Sequence, residues 1–238
     1  MSFDRPPELW VCRLGVTDYL HALELQHRVR AARQAGVVPD TMLLLEHPRV
    51  YTRGRRSADG ELPLPDAFYE SQGIEIVDVD RGGKITYHGP GQLVGYPIVA
   101  VDDVVAYIRT LERALVRALH ESGVNDARAR PQDGPDYTGV WVSDRKIASI
   151  GVHVQRGVTT HGFAVNVDND LTPFEWVVAC GLPNVTMTSV AAEIDISGPQ
   201  LECFSRRAAF AIAQALHLRQ RLVSPARLRA AIGSLAPV

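Results

Sequence analysis

The sequence predicts an α/β (α+β) protein in which mixed sheets are covered by helices. Residues 104–119 and 201–216 carry apolar side chains at steps of three and four, as amphipathic helices do. Later in the chain the period changes to two, which is typical of strands. The length of 238 residues and the apolar fraction of 46% fit one globular unit. We therefore expect a single domain over residues 1–238, with a core at about 10–216 and a helical tail at 217–238.

The overall charge and hydropathy argue against two classes of function. The chain has 27 acidic and 25 basic residues, whereas a general nucleic-acid binder needs a basic excess. No apolar run reaches the roughly 18 residues of a membrane helix, and the N-terminal residues lack the apolar core of a signal peptide. We expect a cytoplasmic protein with no nucleic-acid partner and no membrane partner.

The first part of the chain predicts strands around one helix. Thr17 can cap a helix that runs to about Ala35, with Gly36 as its stop. Leu20 and Leu23 are expected on its apolar face. Residues 58–72, rich in prolines and acids, are expected to form an exposed loop. Strands are predicted at Leu9–Leu14, Thr41–Glu46 and Ile74–Val79.

The second part predicts a long helix followed by a series of strands. Asp102 or Asp103 can cap the helix over residues 104–119, and Gly123 can close it. A short helical turn is expected at residues 173–178. Further strands are predicted at Gly139–Val142, Lys146–Gln155 and Thr159–Val167, and further helices at Leu201–Leu216 and Ser224–Ser234.

The segment Arg81–Tyr96 has more local chemistry than any other. Two predicted strands, Lys84–Tyr87 and Gln92–Ile98, flank a Gly-Pro-Gly corner at residues 89–91. Glycines let a backbone approach a ligand closely. The polar side chains around them belong to Arg81, Lys84, His88 and Gln92. The pattern alone leaves two interpretations open: a plain glycine-rich hairpin, or a ribbon that lines a slot and offers donors to a carbonyl or carboxylate.

A short basic segment lies earlier in the chain. Residues 51–56 contain Arg53, Arg55 and Arg56 in an otherwise slightly acidic protein. Charge patterning alone favours a solvated loop. The alternative is a docking site for an acidic partner or a clamp on a phosphate.

The three cysteines, Cys12, Cys180 and Cys203, have no paired spacing, so neither a zinc site nor a disulfide framework is predicted. Cys12 lies in an apolar strand and Cys203 near the start of a helix, and both are expected to be structural. Cys180 lies between Ala179 and Gly181, where the chain leaves an apolar segment. Its side chain could be presented to a ligand, although a lone cysteine is more often inert.

Lys146 is the candidate partner of Cys180. A thiol is mostly protonated at neutral pH, and an ammonium beside it favours the thiolate. The commoner case for a lysine at a turn is a surface position. From these residues alone, a reactive pair and two unrelated side chains both remain open.

Three motifs together resemble the signature of the lipoyl(octanoyl) transferase family. Arg81–Tyr96 has its Arg-Gly-Gly, Thr, aromatic residue, His-Gly-Pro-Gly-Gln and Tyr in order. Arg145–Gly151 is similar to its Arg-Lys-Ile-Ala-x-Ile-Gly, and residues 159–166 to its Thr-x-His-Gly-x-Ala-x-Asn. The resemblance spans about Trp10 to Leu216.

The last family elements lie near the candidate cysteine. Cys180-Gly181 and Thr188-Ser189 match the family's Cys-Gly and Thr-Ser pairs. Ala179 departs from the pattern, because the family often has proline there. This change alters the stiffness of the turn and removes no reacting group.

The resemblance implies the fold of the biotin and lipoate protein ligase catalytic domains. It implies that Cys180 carries an acyl group as a thioester and that Lys146 lowers the pKa of this thiol. Gly151 and Gly162 would leave room for the acyl chain. The substrate-binding residues that it implies are Arg81, Gly82, Gly83, Lys84, Ile85, Thr86, Tyr87, His88, Ser149, Ile150, Gly151, Gly162, Phe163 and Ala164.

The implied reaction moves an octanoyl group from octanoyl-acyl carrier protein to a lysine of lipoyl domains. The acceptors would be the lipoyl domains of 2-oxoacid dehydrogenase complexes and the glycine cleavage H protein. We expect no cofactor, no metal and a monomer. Oxyanion donors are expected among backbone groups near Cys180, Gly181 and His88.

Two alternatives remain at this point. The first is an ATP-dependent lipoate or biotin protein ligase on the same fold, against which the Cys180 and Lys146 motifs argue. The second is a non-catalytic module that binds carrier or lipoyl domains.

Overall fold

The computed structural model describes residues 7–178, 185–194 and 200–233. The strands are β1 Glu8–Val16, β2 Asp40–Glu46, β3 Val50–Arg53, β4 Glu75–Asp78, β5 Thr86–His88, β6 Gln92–Ile98, β7 Ala127–Ala129, β8 Gly139–Val142, β9 Arg145–Gln155, β10 Val158–Asn166, β11 Thr186–Met187 and β12 Arg219–Val223. The α-helices are α1 Tyr19–Gln34, α2 Asp66–Ser71, α3 Val104–His120, α4 Val190–Glu193, α5 Gln200–Ala215 and α6 Pro225–Ile232. Short 3₁₀ helices occur at Pro131–Asp133, Pro135–Tyr137 and Thr172–Trp176.

Most strands form one large mixed sheet in the order β12-β1-β2-β6-β10-β9-β8-β7, and β11 pairs with the start of β9. The β12-β1-β2 part is parallel, and the remaining neighbours in that order are antiparallel. A second sheet has the order β4-β3-β5. This mixed-sheet architecture confirms the predicted α/β class.

Helices cover both faces of the large sheet. Met42 and Leu44 on β2 join the cluster beneath α3 and α5, whereas Leu43 and Leu45 pack with α1 and α6. Successive side chains of a strand point to opposite faces, so a strand with no polar alternation becomes the centre of a three-layer structure. Cys12 is fully buried in the second of these clusters, as expected for a structural cysteine.

The boundaries of the strongly periodic elements agree with the sequence predictions, but the start of α1 does not. The cap is Asp18, whose carboxylate accepts a hydrogen bond from the His21 backbone at 3.0 Å, so the prediction of Thr17 is wrong. Leu20 is 50% exposed, because the buried face of α1 follows a different stripe. That stripe consists of Tyr19, Ala22, Gln26, Val29 and Ala32.

Three further expectations need correction. Residues 58–72 are not simply an exposed loop, since they contain α2 and the fully buried Tyr69. The tail at 217–238 is not only helical, because β12 pairs with β1 before α6 begins. Cys203 is exposed on α5 rather than packed.

The glycine-rich segment is not a hairpin. β5 pairs with β3 in the small sheet, whereas β6 lies between β2 and β10 in the large sheet. The corner at residues 89–91 therefore carries the chain from one sheet to the other. Gly91 has a φ of +86°, and its N–H donates to the carboxylate of Glu46 at 2.8 Å.

Gly95 on β6 makes room for the buried ring of Phe163 on β10. It faces Phe163 across the β6–β10 ladder. A Cβ atom at Gly95 would lie 2.1 Å from Cζ of Phe163, a distance that no side chain can tolerate. The ring consequently determines which residue β6 can carry at this point.

We predict that Gly95→Ala lowers the free energy of unfolding by roughly 1–3 kcal/mol, since an extra carbon in a packed core forces its neighbours out of position. Urea unfolding of purified protein measures the change. The double variant Gly95→Ala/Phe163→Leu should recover part of the loss, because the smaller side chain vacates the space. Equal stability of Gly95→Ala and the unsubstituted protein would contradict this packing.

Candidate active site

A cavity of about 300 Å³ opens between β9–β10, residues 81–86 and the first turns of α3. This volume is at the lower end of the roughly 300–1,000 Å³ range of small-molecule sites. All but Tyr87 of the predicted binding residues line it. They are Arg81, Gly82, Gly83, Lys84, Ile85, Thr86, His88, Ser149, Ile150, Gly151, Gly162, Phe163 and Ala164.

Tyr87 points to the opposite side of β5. Its ring lies 5.6 Å from that of Tyr51 and 5.4 Å from that of Phe174, in the core of the small sheet. Strand alternation turns Thr86 and His88 toward the cavity and Tyr87 away from it. The contribution of Tyr87 near the site is its carbonyl oxygen, which accepts a hydrogen bond from Gln92 at 3.1 Å.

Gly151 and Gly162 face each other across the β9–β10 ladder. A Cβ atom at Gly151 would lie 2.8 Å from the carbonyl oxygen of Gly82, and one at Gly162 would lie 2.3 Å from that of Gly95. These glycines therefore allow neighbouring backbones to approach. Both glycines also line the cavity, and the expectation that they leave room for an acyl chain stays a prediction.

Arg81 binds the cavity-lining segment at residues 81–86 to the small sheet. Its buried guanidinium donates to both the carbonyl oxygen and the hydroxyl of Thr52 at 2.7 Å. The backbone N–H groups of Arg55 and Arg56 donate to the carbonyl oxygens of Arg81 and Gly83, each at 3.0 Å. The basic segment thus lies directly along the rim of the cavity.

The three arginines of this segment have different surroundings. Arg53 lies at the end of β3 and forms two hydrogen bonds to Asp78, at 2.7 and 2.8 Å. Arg56 forms an ion pair with Asp136 at 3.2 Å, and both side chains line the cavity. Arg55 is exposed. The segment was expected to be a solvated loop, but it is partly strand β3. Arg56 lines the cavity, and the neighbouring Arg55 is exposed.

Lys146 is buried, with an exposed fraction of 3%. The interpretation as a surface lysine, which is the commoner case, is therefore wrong here. Its side chain lines the cavity, and Nζ lies 5.2 Å from the centroid of the Trp141 ring, within range of a cation–π interaction. Gly139, at a φ of +134°, lies against it, since a Cβ there would be 2.9 Å from Cε of Lys146. Cys180 lies outside the described residues, and its pairing with Lys146 stays a prediction.

His88 is oriented by a chain of amide hydrogen bonds. Asn166 donates to the Thr188 carbonyl oxygen at 3.0 Å, and Gln92 Nε2 donates to the Asn166 side-chain oxygen at 2.9 Å and to the Tyr87 carbonyl oxygen. Gln92 Oε1 must therefore accept from Nδ1 of His88, at 2.7 Å. Burial lowers the pKa of His88 well below its usual value, so the ring is neutral with a lone pair at Nε2. This lone pair cannot donate to an oxyanion, so the expectation of backbone donors near His88 does not involve its ring.

A second buried chain of hydrogen bonds reaches the cavity through Tyr96. The carbonyl oxygen of Thr17 accepts from Nδ1 of His47 at 2.7 Å, so Nε2 of His47 accepts from the Tyr96 hydroxyl at 2.7 Å. Burial lowers the pKa of His47 to about 4 and raises the pKa of Tyr19 to about 12. The ring of Tyr19 stacks on His88, with centroids 6.1 Å apart. The side chains of Tyr19, His88 and Tyr96 in the cavity wall are therefore polar but uncharged at neutral pH, and the guanidinium of Arg81 lies near them.

His161 combines an unusual backbone with a paired ring. Its φ is +57°, and its backbone N–H donates to the side-chain oxygen of Gln26 at 2.7 Å. Its Nε2 lies 2.7 Å from the Asp80 carboxylate. Burial lowers the pKa of His161, although Asp80 opposes this effect. The hydrogen bond from His161 holds the pKa of Asp80 well below its usual range.

Several polar residues of the site were not identified from the sequence. Glu61 is buried within the segment expected to be a loop, and its carboxylate accepts from the Ile85 N–H at 3.2 Å. His47 follows a buried strand and precedes a proline, a position that could have indicated it. No local pattern distinguishes Glu61 or Asp80 from ordinary surface acids.

The described part of the chain has neither a membrane-spanning helix nor a metal-binding cluster. No helix within residues 7–178, 185–194 and 200–233 is long and apolar enough to cross a membrane. Over the same residues, no group of three or more His, Cys, Asp or Glu side chains is arranged to hold a metal ion.

Comparison with known proteins gives a consistent family. A family model for the lipoyl protein ligase A/B catalytic domain matches residues 18–211. An octanoyltransferase of Solibacter usitatus is 48% identical over 184 residues, covering 76% of this chain and 81% of that protein. An octanoyltransferase of Mycobacterium avium is 48% identical over 193 residues, covering 77% of each chain.

Solved structures show the same fold. A bi-partite lipoate protein ligase of Thermoplasma acidophilum has a TM-score of 0.72 at 19% identity, covering 96% of this chain and 90% of that chain. A likeness at this identity concerns the fold alone. It confirms the expected biotin and lipoate protein ligase architecture.

We predict that His47 makes the protein acid-sensitive. The pKa of His47 is lower in the folded state, about 4, than the value of about 6.5 in an unfolded chain. The unfolded state therefore takes up more protons, and stability is lost as pH falls from about 6.5 toward 4. The loss from this residue should be about 2–3 kcal/mol.

Urea unfolding at pH values between about 7.5 and 4.5 tests this expectation. His47→Gln should show a weaker decline of stability with acidification, whereas the same change at the exposed His21 should leave the decline unaltered. Parallel declines in all three proteins would mean that His47 titrates normally. His88 and His161 contribute in the same direction, so the decline in His47→Gln is reduced and not abolished.

Proposed function

The chain belongs to the family of lipoyl protein ligase A/B catalytic domains, and we propose that it transfers an octanoyl group from octanoyl-acyl carrier protein to a lysine of lipoyl domains. The acceptors proposed are the lipoyl domains of 2-oxoacid dehydrogenase complexes and the glycine cleavage H protein. The observation that carries the proposal is a buried lysine, Lys146, in the wall of a small, largely apolar cavity. Octanoyltransferases at 48% identity support the same activity.

The cavity suits a medium-length acyl chain. Ile85, Ile150 and Phe163 give it apolar walls, and the roughly six methylenes of an octanoyl chain could contribute on the order of 5 kcal/mol to binding. The polar inner end, with His88 and Tyr96, suits the carbonyl end of the chain better than its methyl end.

The first transfer moves the acyl group to the enzyme. The thiolate of Cys180 attacks the carbonyl carbon of the carrier thioester, the C–S bond to the carrier breaks, and the carrier leaves as its thiolate. One thioester replaces another, so the step needs no ATP. The ammonium of Lys146 is proposed to hold the cysteine as a thiolate.

The second transfer moves the acyl group to the acceptor. The neutral amine of an acceptor lysine attacks the acyl-enzyme and a C–N bond forms. The nitrogen loses one proton to solvent, and the C–S bond breaks to release the Cys180 thiolate and the product amide. Each transfer passes through an oxyanion that needs hydrogen-bond donors. We propose that backbone N–H groups near residues 180–181 and His88 supply them.

We predict that incubation with octanoyl-acyl carrier protein, without ATP, gives a single octanoyl adduct by intact mass. Cys180→Ala should give none, because it lacks the nucleophile. A lipoyl domain should discharge the adduct. Lys146→Met, which keeps side-chain length without the charge, should slow adduct formation by roughly 100-fold, because the thiol is no longer held as thiolate.

The same experiment separates the alternatives. Activity only with ATP and free octanoate would identify a ligase. Binding of the carrier with no adduct under either condition would identify a non-catalytic module. An adduct that survives in Cys180→Ala would assign the nucleophile to another residue.

We also propose that the cavity rim docks the acidic carrier. Arg55 is exposed, and its backbone is bound to the loop that lines the cavity. Arg56 lines the mouth beside it, although it is paired with Asp136. Arg53 contributes less, since two hydrogen bonds to Asp78 already neutralise it.

We predict that Arg55→Glu raises the KM for the carrier roughly fivefold at low salt, and that the effect shrinks as salt screens the charges. Arg229→Glu is the matched control, an exposed arginine on α6, which packs against β1 on a distant part of the sheet. Steady-state kinetics at two ionic strengths measure both variants. Equal KM values for Arg55→Glu and the unsubstituted protein at low salt would rule out docking through Arg55.

A further inference from the structure

The indole of Trp141 lies against Lys146 from outside the cavity. Trp141 is 1% exposed and is not among the described residues that line the cavity, whereas Lys146 is part of its wall. Nζ of Lys146 lies 5.2 Å from the centroid of the Trp141 ring. Building on the proposed function, we propose that Trp141 is a positioning residue whose ring face holds the ammonium of Lys146 at the cavity wall.

A β-bulge brings these two side chains together. In the β8–β9 ladder Val140 pairs with Ala148. The next pair is Trp141 with Lys146, which leaves Ile147 as an extra residue on β9. A bulge of this kind bends a strand and re-aims its side chains, and bulges are common next to active sites.

The bulge also decides which face of the sheet Lys146 occupies. Ile147 and Ala148 both belong to the core cluster beneath α3 and α5, although successive side chains of a regular strand alternate. Without the extra residue, Lys146 would share the core face of Ala148. With it, Lys146 falls on the same face as Ser149, which lines the cavity.

The stem of Lys146 is confined by the backbone as well. Because a Cβ at Gly139 would meet Cε of Lys146, the lysine stem packs on bare main chain. The carboxylate of Glu112 on α3 is 1% exposed, accepts from the Gly139 N–H at 3.0 Å and is paired with Arg109 at 2.6 Å. α3 therefore fixes the backbone beside the stem, and the ring of Trp141 faces the ammonium end.

The plane of the indole is fixed by other contacts. Nε1 of Trp141 donates to the Tyr137 carbonyl oxygen at 2.9 Å. The guanidinium of Arg130 lies 5.1 Å from the centroid of the same ring, but it is also ion-paired with Asp133 and Asp144. Arg130 thus has two carboxylates as partners besides the ring. Substitution of Arg130 separates the alternative in which Trp141 supports that guanidinium alone.

The ring lowers the cost of keeping a flexible cation in one place. A cation over an aromatic face is attracted by the ring quadrupole, most strongly where water is excluded, and Lys146 is buried. A lysine side chain also loses much rotamer freedom on burial. In the proposed transfer the ammonium of Lys146 favours the cysteine thiolate, so a lysine that leaves the wall would slow formation of the acyl-enzyme.

The chain itself provides a direct probe of this contact, because its sequence has two lysines, Lys84 and Lys146. Protein labelled with ¹³C at lysine Cε should give two NMR signals, and Lys146→Met assigns them. The ring current of Trp141 should shift the Lys146 methylene protons upfield. Trp141→Leu should abolish this shift and leave the Lys84 signal in place, whereas Arg130→Gln should preserve it. A Lys146 signal without an upfield shift, or a shift lost equally in Arg130→Gln, would overturn the proposal.

A double-mutant cycle on the full-length protein links the contact to the first transfer. Trp141→Leu should slow formation of the octanoyl adduct roughly tenfold at saturating carrier. The KM for the carrier should stay within about twofold, because the ring does not line the cavity. Trp141→Phe, which keeps an aromatic face, should lose less. In the Lys146→Met background Trp141→Leu should cause no further loss, since the ring then has no ammonium to hold.

The outcomes separate this role from the proposed function. Equal losses with and without Lys146 would mean that Trp141 acts on the fold alone, which overturns the positioning role and leaves the octanoyltransferase proposal intact. If the unsubstituted protein forms no adduct, the proposed function fails and the positioning role fails with it.

Fluorinated tryptophans decide the case if Trp141→Leu does not fold. Trp10→Phe/Trp176→Phe leaves Trp141 as the one tryptophan of the sequence, and added fluorines weaken the ring quadrupole with little change of shape. A rate of adduct formation that falls with each added fluorine supports the proposal, and a constant rate overturns it.

Discussion

The close approach of backbones at two facing glycines is the constraint on which the site depends. Gly151 on β9 lies against the carbonyl oxygen of Gly82, and Gly162 on β10 lies against that of Gly95. No other residue would let the loop before β5 rest on the sheet. Because the loop rests there, Arg81 reaches Thr52 and the basic segment is bound along the rim. Main-chain contacts therefore determine the shape of the cavity, and the side chains that line it depend on these contacts for their positions.

The polar groups of the cavity are numerous, but most have a defined partner. Amide and carbonyl groups around His88 fix its tautomer, and Thr17 fixes that of His47. Burial keeps both rings neutral by lowering their pKa values. Beside these neutral rings, Arg81 and Lys146 line the cavity, and the Asp80 carboxylate is paired with His161. A water-poor site makes such charges more effective.

The fold and the chemistry are separate conclusions. The lipoate protein ligase of Thermoplasma acidophilum has the same architecture at 19% identity, and that likeness says nothing of whether ATP or a thioester supplies the activated acyl group. A transferase is favoured by particular residues, chiefly Lys146, Cys180 and the glycine-rich loop, and by octanoyltransferase relatives at 48% identity.

Local sequence patterns predicted the elements whose apolar period is strong, namely β6, β9, β10 and α3, because burial of one face or both is encoded within each segment. The motifs also identified the loop and strands that line the cavity. Tertiary structure decided what those segments do. The expected hairpin is split between two sheets, β12 completes a sheet edge from a mostly polar segment, and Asp80 meets His161 across 81 positions of sequence. Such contacts depend on how distant backbones pack, and no local pattern records that packing.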